Sequence, residues 1–176
     1  GHSMGALITG GVAVEYPDLV SRVALLNPVF RRSPEARAAV EARAAEISRG
    51  ELDSAAPLAR WFTRTASERA AREATAGWLR AVSPEGYATA YTAFATGDET
   101  YANRIGDIQA PLLALTGSGD GNSTPAMALA IAEAAQNGTT KIIEGHRHMA
   151  HLTAPNLVNH ALANWLFQPF PREVAS

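Results

Sequence analysis

The sequence has no cysteine among its 176 residues, which excludes a disulfide framework, a thiolate metal site and a cysteine nucleophile. It also has no cationic surplus. Fifteen basic residues stand against seventeen acidic ones, a net charge of −2, so a nucleic-acid partner is not expected. No apolar run approaches the ~18 residues that span a bilayer, and no leader-type segment opens the sequence. No membrane association is expected, and the cytoplasm is the default location. Charge is sparse, at 18% against 47% hydrophobic residues, which is the reverse of a disordered chain. That apolar share over this length is enough for one packed core.

Lysine is nearly absent: fourteen of the fifteen basic residues are arginine, and roughly a fifth of the chain is alanine. These biases point to a GC-rich coding sequence more than to a function. The charges are uneven. Residues 31–73 hold nine arginines and seven acids, whereas 1–30 hold Arg22 alone among the arginines. The same boundary separates two textures. Met4 to about Tyr16 reads as a helix stopped by Pro17. Val23–Leu26 reads as a short buried strand ended by Asn27-Pro28. Leu112–Thr116 and Lys141–Glu144 are two more apolar strands. A helix from about Pro125 to Ala135, closed by Asn137-Gly138, joins them, and a last helix runs from about Pro155 to Phe167. Strand and helix alternating at these lengths specify an α/β fold with a parallel sheet. Between the first two strands lie four expected helices, roughly 34–48, 54–65, 68–81 and 84–95, opened by Ser33-Pro34, Ser67-Glu68 and Ser83-Pro84. The organisation expected is a core in 1–30 and 108–176 with a helical insertion, 31–107, over one edge of the sheet.

The opening residues carry the most chemistry. Gly1-His2-Ser3-Met4-Gly5 fits G-x-S-x-G, in which a serine on a sharp strand-to-helix turn exposes its hydroxyl. The amide of the next residue, Met4, would face the oxygen of an attacked carbonyl. The competing reading, a tag remnant at residues 1–4, is weakened by the helix that follows without a seam. A serine needs a base, and the base needs an orienting group. Gly117-Ser-Gly-Asp120-Gly121 places an acid after the second strand, and Gly145-His146-Arg147-His148 places histidines after the third. Functional groups gather at the carboxyl ends of strands in an open parallel sheet, and Ser, Asp, His is the order this elbow uses. Asp120 between glycines also suits an ordinary turn. Asp98 and Asp107 are rivals that precede their strand, Asp107 reading as the turn into Ile108, and the direction of Glu144 is open. His146, His148 and His151 are spaced closely enough to suggest a metal, but no carboxylate pattern accompanies them, so neither metal nor cofactor is expected.

The chain resembles the α/β-hydrolase family, in its enol-lactonase and carboxylesterase branch. Tyr16-Pro17-x-x-Val20-x-Arg22-x-x-Leu25-x-Asn27-Pro28 matches the segment after the family's elbow helix. Ile108-x-x-Pro111 and Gly117-x-x-Asp120 match the approach to and exit from the acid strand, with Pro125 one place late. The family's G-H-x-x-H-x-x-x-P is matched by Arg147-His148-Met-Ala-His151-Leu-Thr-Ala-Pro155, arginine replacing glycine. The resemblance implies Ser3 as nucleophile, His148 as base, Asp120 as its orienter and His151 as a pocket residue. It also implies a small-molecule substrate, an ester, lactone or amide cleaved through an acyl-enzyme. Carbon–carbon hydrolysis, perhydrolysis or acyl transfer on the same residues, or a binding protein of hydrolase fold, are the alternatives. A serine in the elbow sets the chain apart from the family branches with an aspartate nucleophile.

Within the insertion, Arg60-Trp61-Phe62-Thr63 and Ser83-Pro84-Glu85-Gly86-Tyr87 are similar to enol-lactonase cap segments. Trp61, Trp78, Tyr87, Tyr91 and Phe94, with His2, are candidate pocket residues, although aromatics at helical spacing also suit the insertion's own core. Arg31 and Arg32 are read as solvated, with a substrate carboxylate as the alternative. In the family the elbow lies deep in the chain. The expectation here is therefore a companion N-terminal polypeptide of roughly 80–110 residues, produced by cleavage before Gly1 or, alternatively, belonging to one longer chain. It would complete the sheet and add a second oxyanion amide. A homo-oligomer is compatible with the sequence.

Overall fold

The structure, a computed structural model, describes residues 1–51 and 53–169. Three strands, β1 (Val23–Leu26), β2 (Leu112–Gly117) and β3 (Gly138–Ile143), form a parallel sheet in the order β1-β2-β3. Val23 pairs with Leu112, which pairs with Gly138 on its other side. β2 is buried along its whole length, so both of its faces must be apolar. Leu112 and Ala114 meet α1 (Met4–Glu15) and α6 (Pro125–Ala134), while Leu113 and Leu115 meet α7 (Ala150–Thr153) and α8 (Pro155–Leu166). This is the two-residue period of a strand, read out as two cores.

Residues 1–3 run parallel to β1, pair with it through a single bridge and lead directly into α1. His2 bridges Leu26 in parallel, the Ser3 amide donates to the Leu26 carbonyl at 2.9 Å, and the Leu26 amide donates to that of Gly1 at 2.8 Å. They occupy the free edge of β1, opposite β2. A side chain at Gly1 would collide with the Gly5 carbonyl and Thr9, so the turn into α1 closes only around glycine there.

The insertion contains α2 (Pro34–Ser48), α3 (Ala55–Trp61), α4 (Arg69–Ala81) and α5 (Pro84–Thr96). Ser33 and Ser83 cap α2 and α5 by accepting from the Ala36 and Gly86 amides, as their Ser-Pro-Glu sequences predict. The expected 54–65 helix is shorter: it stops at Trp61, with Phe62 extended. The insertion does not sit over a sheet edge. α3 and α5 cover the carboxyl ends of the strands, facing Ser3 and His148 across one cavity.

Three further expectations are corrected. Asn137-Gly138 does not close α6, which ends at Ala134. Gly138 opens β3, and a Cβ there would strike the Ala132 carbonyl, so close backbone approach explains it. Glu144 lies beyond β3 and is exposed. Arg32 is not solvated. It is 6% exposed, its guanidinium bonds Asp98 at 2.8 Å, and its own amide donates to the same carboxylate. Desolvating two charges is costly, and these extra hydrogen bonds offset part of that cost. The pair ties the two ends of the insertion together and removes Asp98 as a rival acid. Arg31 is exposed and donates to Asn103 Oδ1 at 2.8 Å. Asp107 ends a short 3₁₀ turn and bonds Arg104, as a turn residue would.

Candidate active site

Ser3 sits at the junction of the bridged segment beside β1 and α1 with φ 53°, in the left-handed region that few side chains adopt without strain. The turn pushes its hydroxyl clear of the helix. Met4 follows as the first helical residue, so its amide has no carbonyl of its own helix to bond. Both residues line the cavity.

Asp120 lies on the turn leaving β2 and is 3% exposed. Its Oδ1 accepts from the amides of Asn122 and Ser123 at 2.8 and 3.0 Å, and its Oδ2 accepts from Asn27 Nδ2 at 2.8 Å. Burial would raise its pKa. The hydrogen bond and charge of His148, with the donors from Asn27 and Ser123, outweigh that and hold it below the usual carboxylate range. Asp120 is therefore an anion at neutral pH. Its Oδ2 lies 2.8 Å from His148 Nδ1, which must then carry the proton, leaving Nε2 with a lone pair. That Nε2 accepts from Ser3 Oγ at 3.0 Å. The structure thus joins residues 3, 120 and 148 in one continuous chain of hydrogen bonds.

Asn27 has a function in this site that the sequence reading missed. It is fully buried with φ 48°, a conformation asparagine tolerates, and it braces Asp120 and Thr116 Oγ1 together. The signal was Asn27-Pro28 at a strand end, read there as a stop and as part of the family segment, with no role given to the Asn27 side chain.

The three loop histidines face different ways. His146 Nδ1 lies 2.8 Å from Thr153 Oγ1. His151 packs against His2 with ring centroids 4.2 Å apart, behind the cavity rather than lining it. Among the described residues no group of three or more potential ligands could hold a metal. His2 Nε2 lies 2.9 Å from the His148 carbonyl, so it donates there and fixes the backbone of the histidine loop. Burial, with the nearby His148 imidazole, pushes the pKa of His2 down to about 3, and His151 is also lowered by burial. The unfolded His2 takes up a proton below about 6.5, whereas the folded residue does so only near 3. Its contribution to stability is therefore complete above 6.5 and lost as pH falls toward 3, at up to about 1.4 kcal/mol per pH unit. Urea unfolding between pH 7 and 4.5 is expected to show a shallower pH dependence in His2→Gln by about that slope. Parallel slopes would contradict the buried neutral imidazole.

The cavity encloses about 330 Å³, a volume suited to a small organic molecule. Trp61 stacks on the His148 ring, with centroids 5.8 Å apart and planes inclined by 28°. Tyr87, Tyr91 and Phe94, at helical spacing on α5, form its other wall. Trp78 does not take part: it is 57% exposed on α4, because its turn of helix faces away. Arg60, which the sequence reading quoted without assigning it a role, also lines the cavity.

A family model described as serine aminopeptidase, S33, matches residues 1–154. The chain belongs to this family of α/β-hydrolases. The chain is 50% identical over 166 residues to the (E)-2-((N-methylformamido)methylene)succinate hydrolase of Acinetobacter baylyi, covering 94% of this chain and 63% of that relative. Among solved structures it is similar to a hydrolase from Pseudomonas aeruginosa (TM-score 0.82, 22% identity, 96% of this chain and 63% of that one). It is also similar to the enol-lactonase of Burkholderia xenovorans (TM-score 0.76, 25% identity, 96% and 64%). The chain thus spans less than two thirds of the length of these relatives. No described helix is long and apolar enough to cross a membrane.

Proposed function

We propose that this hydrolase cleaves a small carboxylic amide, ester or lactone by acyl transfer to Ser3, with His148 as general base and acid and Asp120 as its orienter. The observation that carries the reading is the hydrogen-bonded chain from Ser3 Oγ through both His148 nitrogens to Asp120. Ser3 Oγ adds to the substrate carbonyl carbon as its proton passes to Nε2. The carbonyl oxygen becomes an oxyanion against the Met4 amide. His148 then protonates the leaving amine or alcohol. A water, deprotonated by the same nitrogen, attacks the acyl-enzyme and releases the acid.

A second donor for the oxyanion would come from residues outside these 176, on a segment of the completed sheet. Such a segment serves equally as part of one polypeptide or as a companion chain. The relatives' greater length supports the reading.

For the substrate class we infer a carboxylate-bearing amide. Among the described residues Arg60 alone brings a permanent charge to the cavity wall, and none of their carboxylates lies in ion-pair range of it. A guanidinium so placed suits a substrate carboxylate, and the A. baylyi relative is named for an N-formylated methylenesuccinate. The test is incubation with a fluorophosphonate followed by peptide mass analysis, alongside formate release from (E)-2-((N-methylformamido)methylene)succinate. One adduct on Ser3 and stoichiometric formate are expected. An unlabelled Ser3 would overturn the nucleophile assignment, and labelling without formate would overturn the substrate.

A further inference from the structure

The histidine loop is held from two sides. On the sheet side, the Gly119 amide donates to the His146 carbonyl at 2.9 Å, and a side chain at Gly117 would collide with the carbonyls of His146 and Arg147. On the insertion side, Arg147 reaches across to the end of α3. Its Nη1 donates to the Ala59 carbonyl at 3.0 Å and the Phe62 carbonyl at 3.1 Å. These carbonyls belong to the last turn of α3 and its exit, where backbone acceptors lack helical partners and the helix dipole favours a cation. Between the two tethered carbonyls stand Arg60 and Trp61, which line the cavity with Ser3 and His148, Trp61 stacking on the His148 ring. Met149, on the other flank of His148, packs with Leu58 and Phe62. One guanidinium thus fixes the stretch that carries both the stacking ring and the unpaired cation of the cavity. The residue doing so is the arginine that stands where the family pattern has glycine, and glycine has no side chain to reach α3.

We propose that Arg147 is a positioning residue, locking the 59–62 turn onto the histidine loop so that Arg60 meets a substrate carboxylate at a fixed distance from Ser3. This rests on the reading of Ser3 and Arg60 given above. Positioning acts through Arg60, so removing Arg147 should matter only while Arg60 is there to be positioned. Contributions of two residues acting as a unit do not add.

The test is a double-mutant cycle, read as protection of Ser3 from fluorophosphonate labelling by methylenesuccinate. The protection constant is a ratio within each variant, so changes in intrinsic serine reactivity do not enter it. Arg147→Ala is expected to weaken protection about tenfold. Arg60→Ala should weaken it at least as much, and the double variant no further than Arg60→Ala within about twofold. Arg147→Lys, which keeps a donor and a charge, should recover part of the loss. Losses that multiply across the cycle would overturn the proposal, as would unaltered protection in Arg147→Ala or no recovery in a folded Arg147→Lys. A failure of the underlying reading shows itself separately, as a wild-type protein that is not labelled at Ser3 at all.

Discussion

Ser3→Ala is expected to lower kcat for hydrolysis on the order of 10⁵-fold while changing KM little, because the lost hydroxyl forms the bond on which every later step depends. Oxyanion stabilisation and binding survive in such a variant, so a residue of activity over the uncatalysed rate should remain. The substitution removes one half-buried oxygen bonded to His148, on a turn whose geometry rests on Gly1 and on the backbone bonds to Leu26. Folding should therefore be retained, and a circular-dichroism melt within a few degrees of wild type would show it. Single-turnover kinetics measure the loss. Activity within tenfold of wild type would mean that another group attacks the substrate.

Asp120→Asn should cost on the order of 10⁴-fold in kcat, the loss this exchange produces in a serine–histidine–aspartate site. The hydrogen bonds explain why. The Asn122 and Ser123 amides and Asn27 all donate to Asp120, and so does His148 Nδ1. An amide side chain that keeps its oxygen toward the two backbone amides turns its NH₂ group toward Asn27 and His148. The imidazole can then remain bonded only by offering a bare Nδ1, which moves its proton to Nε2 and leaves no base facing Ser3. The two protonation forms of the ring are distinguishable by ¹⁵N chemical shifts. Wild type is expected to show Nδ1 protonated and the variant Nε2 protonated. A variant with the wild-type tautomer and full activity would remove Asp120 from the proposed machinery.

The residues joined at the site were readable because each belongs to a local pattern with its own physical cause. An elbow must be flanked by small residues, and only Gly1 proves sterically confined, since Gly5 faces open space. The acid and histidine both follow apolar strands, and parallel strands bring their carboxyl ends to one side. Elements with strong local signals also kept their places: α2 begins and ends where its Ser-Pro-Glu cap and alanine-rich run predict. Where the local signal was shared between two causes, sequence reasoning failed. Asn137-Gly138 suits a helix stop as well as a close approach to Ala132. Arg32 beside Arg31 looked like a solvated pair until Asp98, 66 residues away, was found against it. Trp78 and Tyr87 have the same aromatic character in the sequence, yet one is turned to solvent and the other to the cavity.

What the sequence by itself determined is therefore the parallel α/β core, the interrupting helices and the identity of a serine, an acid and a histidine at strand ends. These follow from hydrophobic period, capping and turn chemistry, which act over a few residues. Only the tertiary structure decided that the insertion covers the strand ends, that Arg60 and Trp61 line one cavity with Ser3, and that Arg147 bonds the carbonyls on either side of them. Those outcomes depend on how helix faces pack and which carbonyls are left unpaired, and no short-range pattern encodes contacts between residues 60 and 90 positions apart.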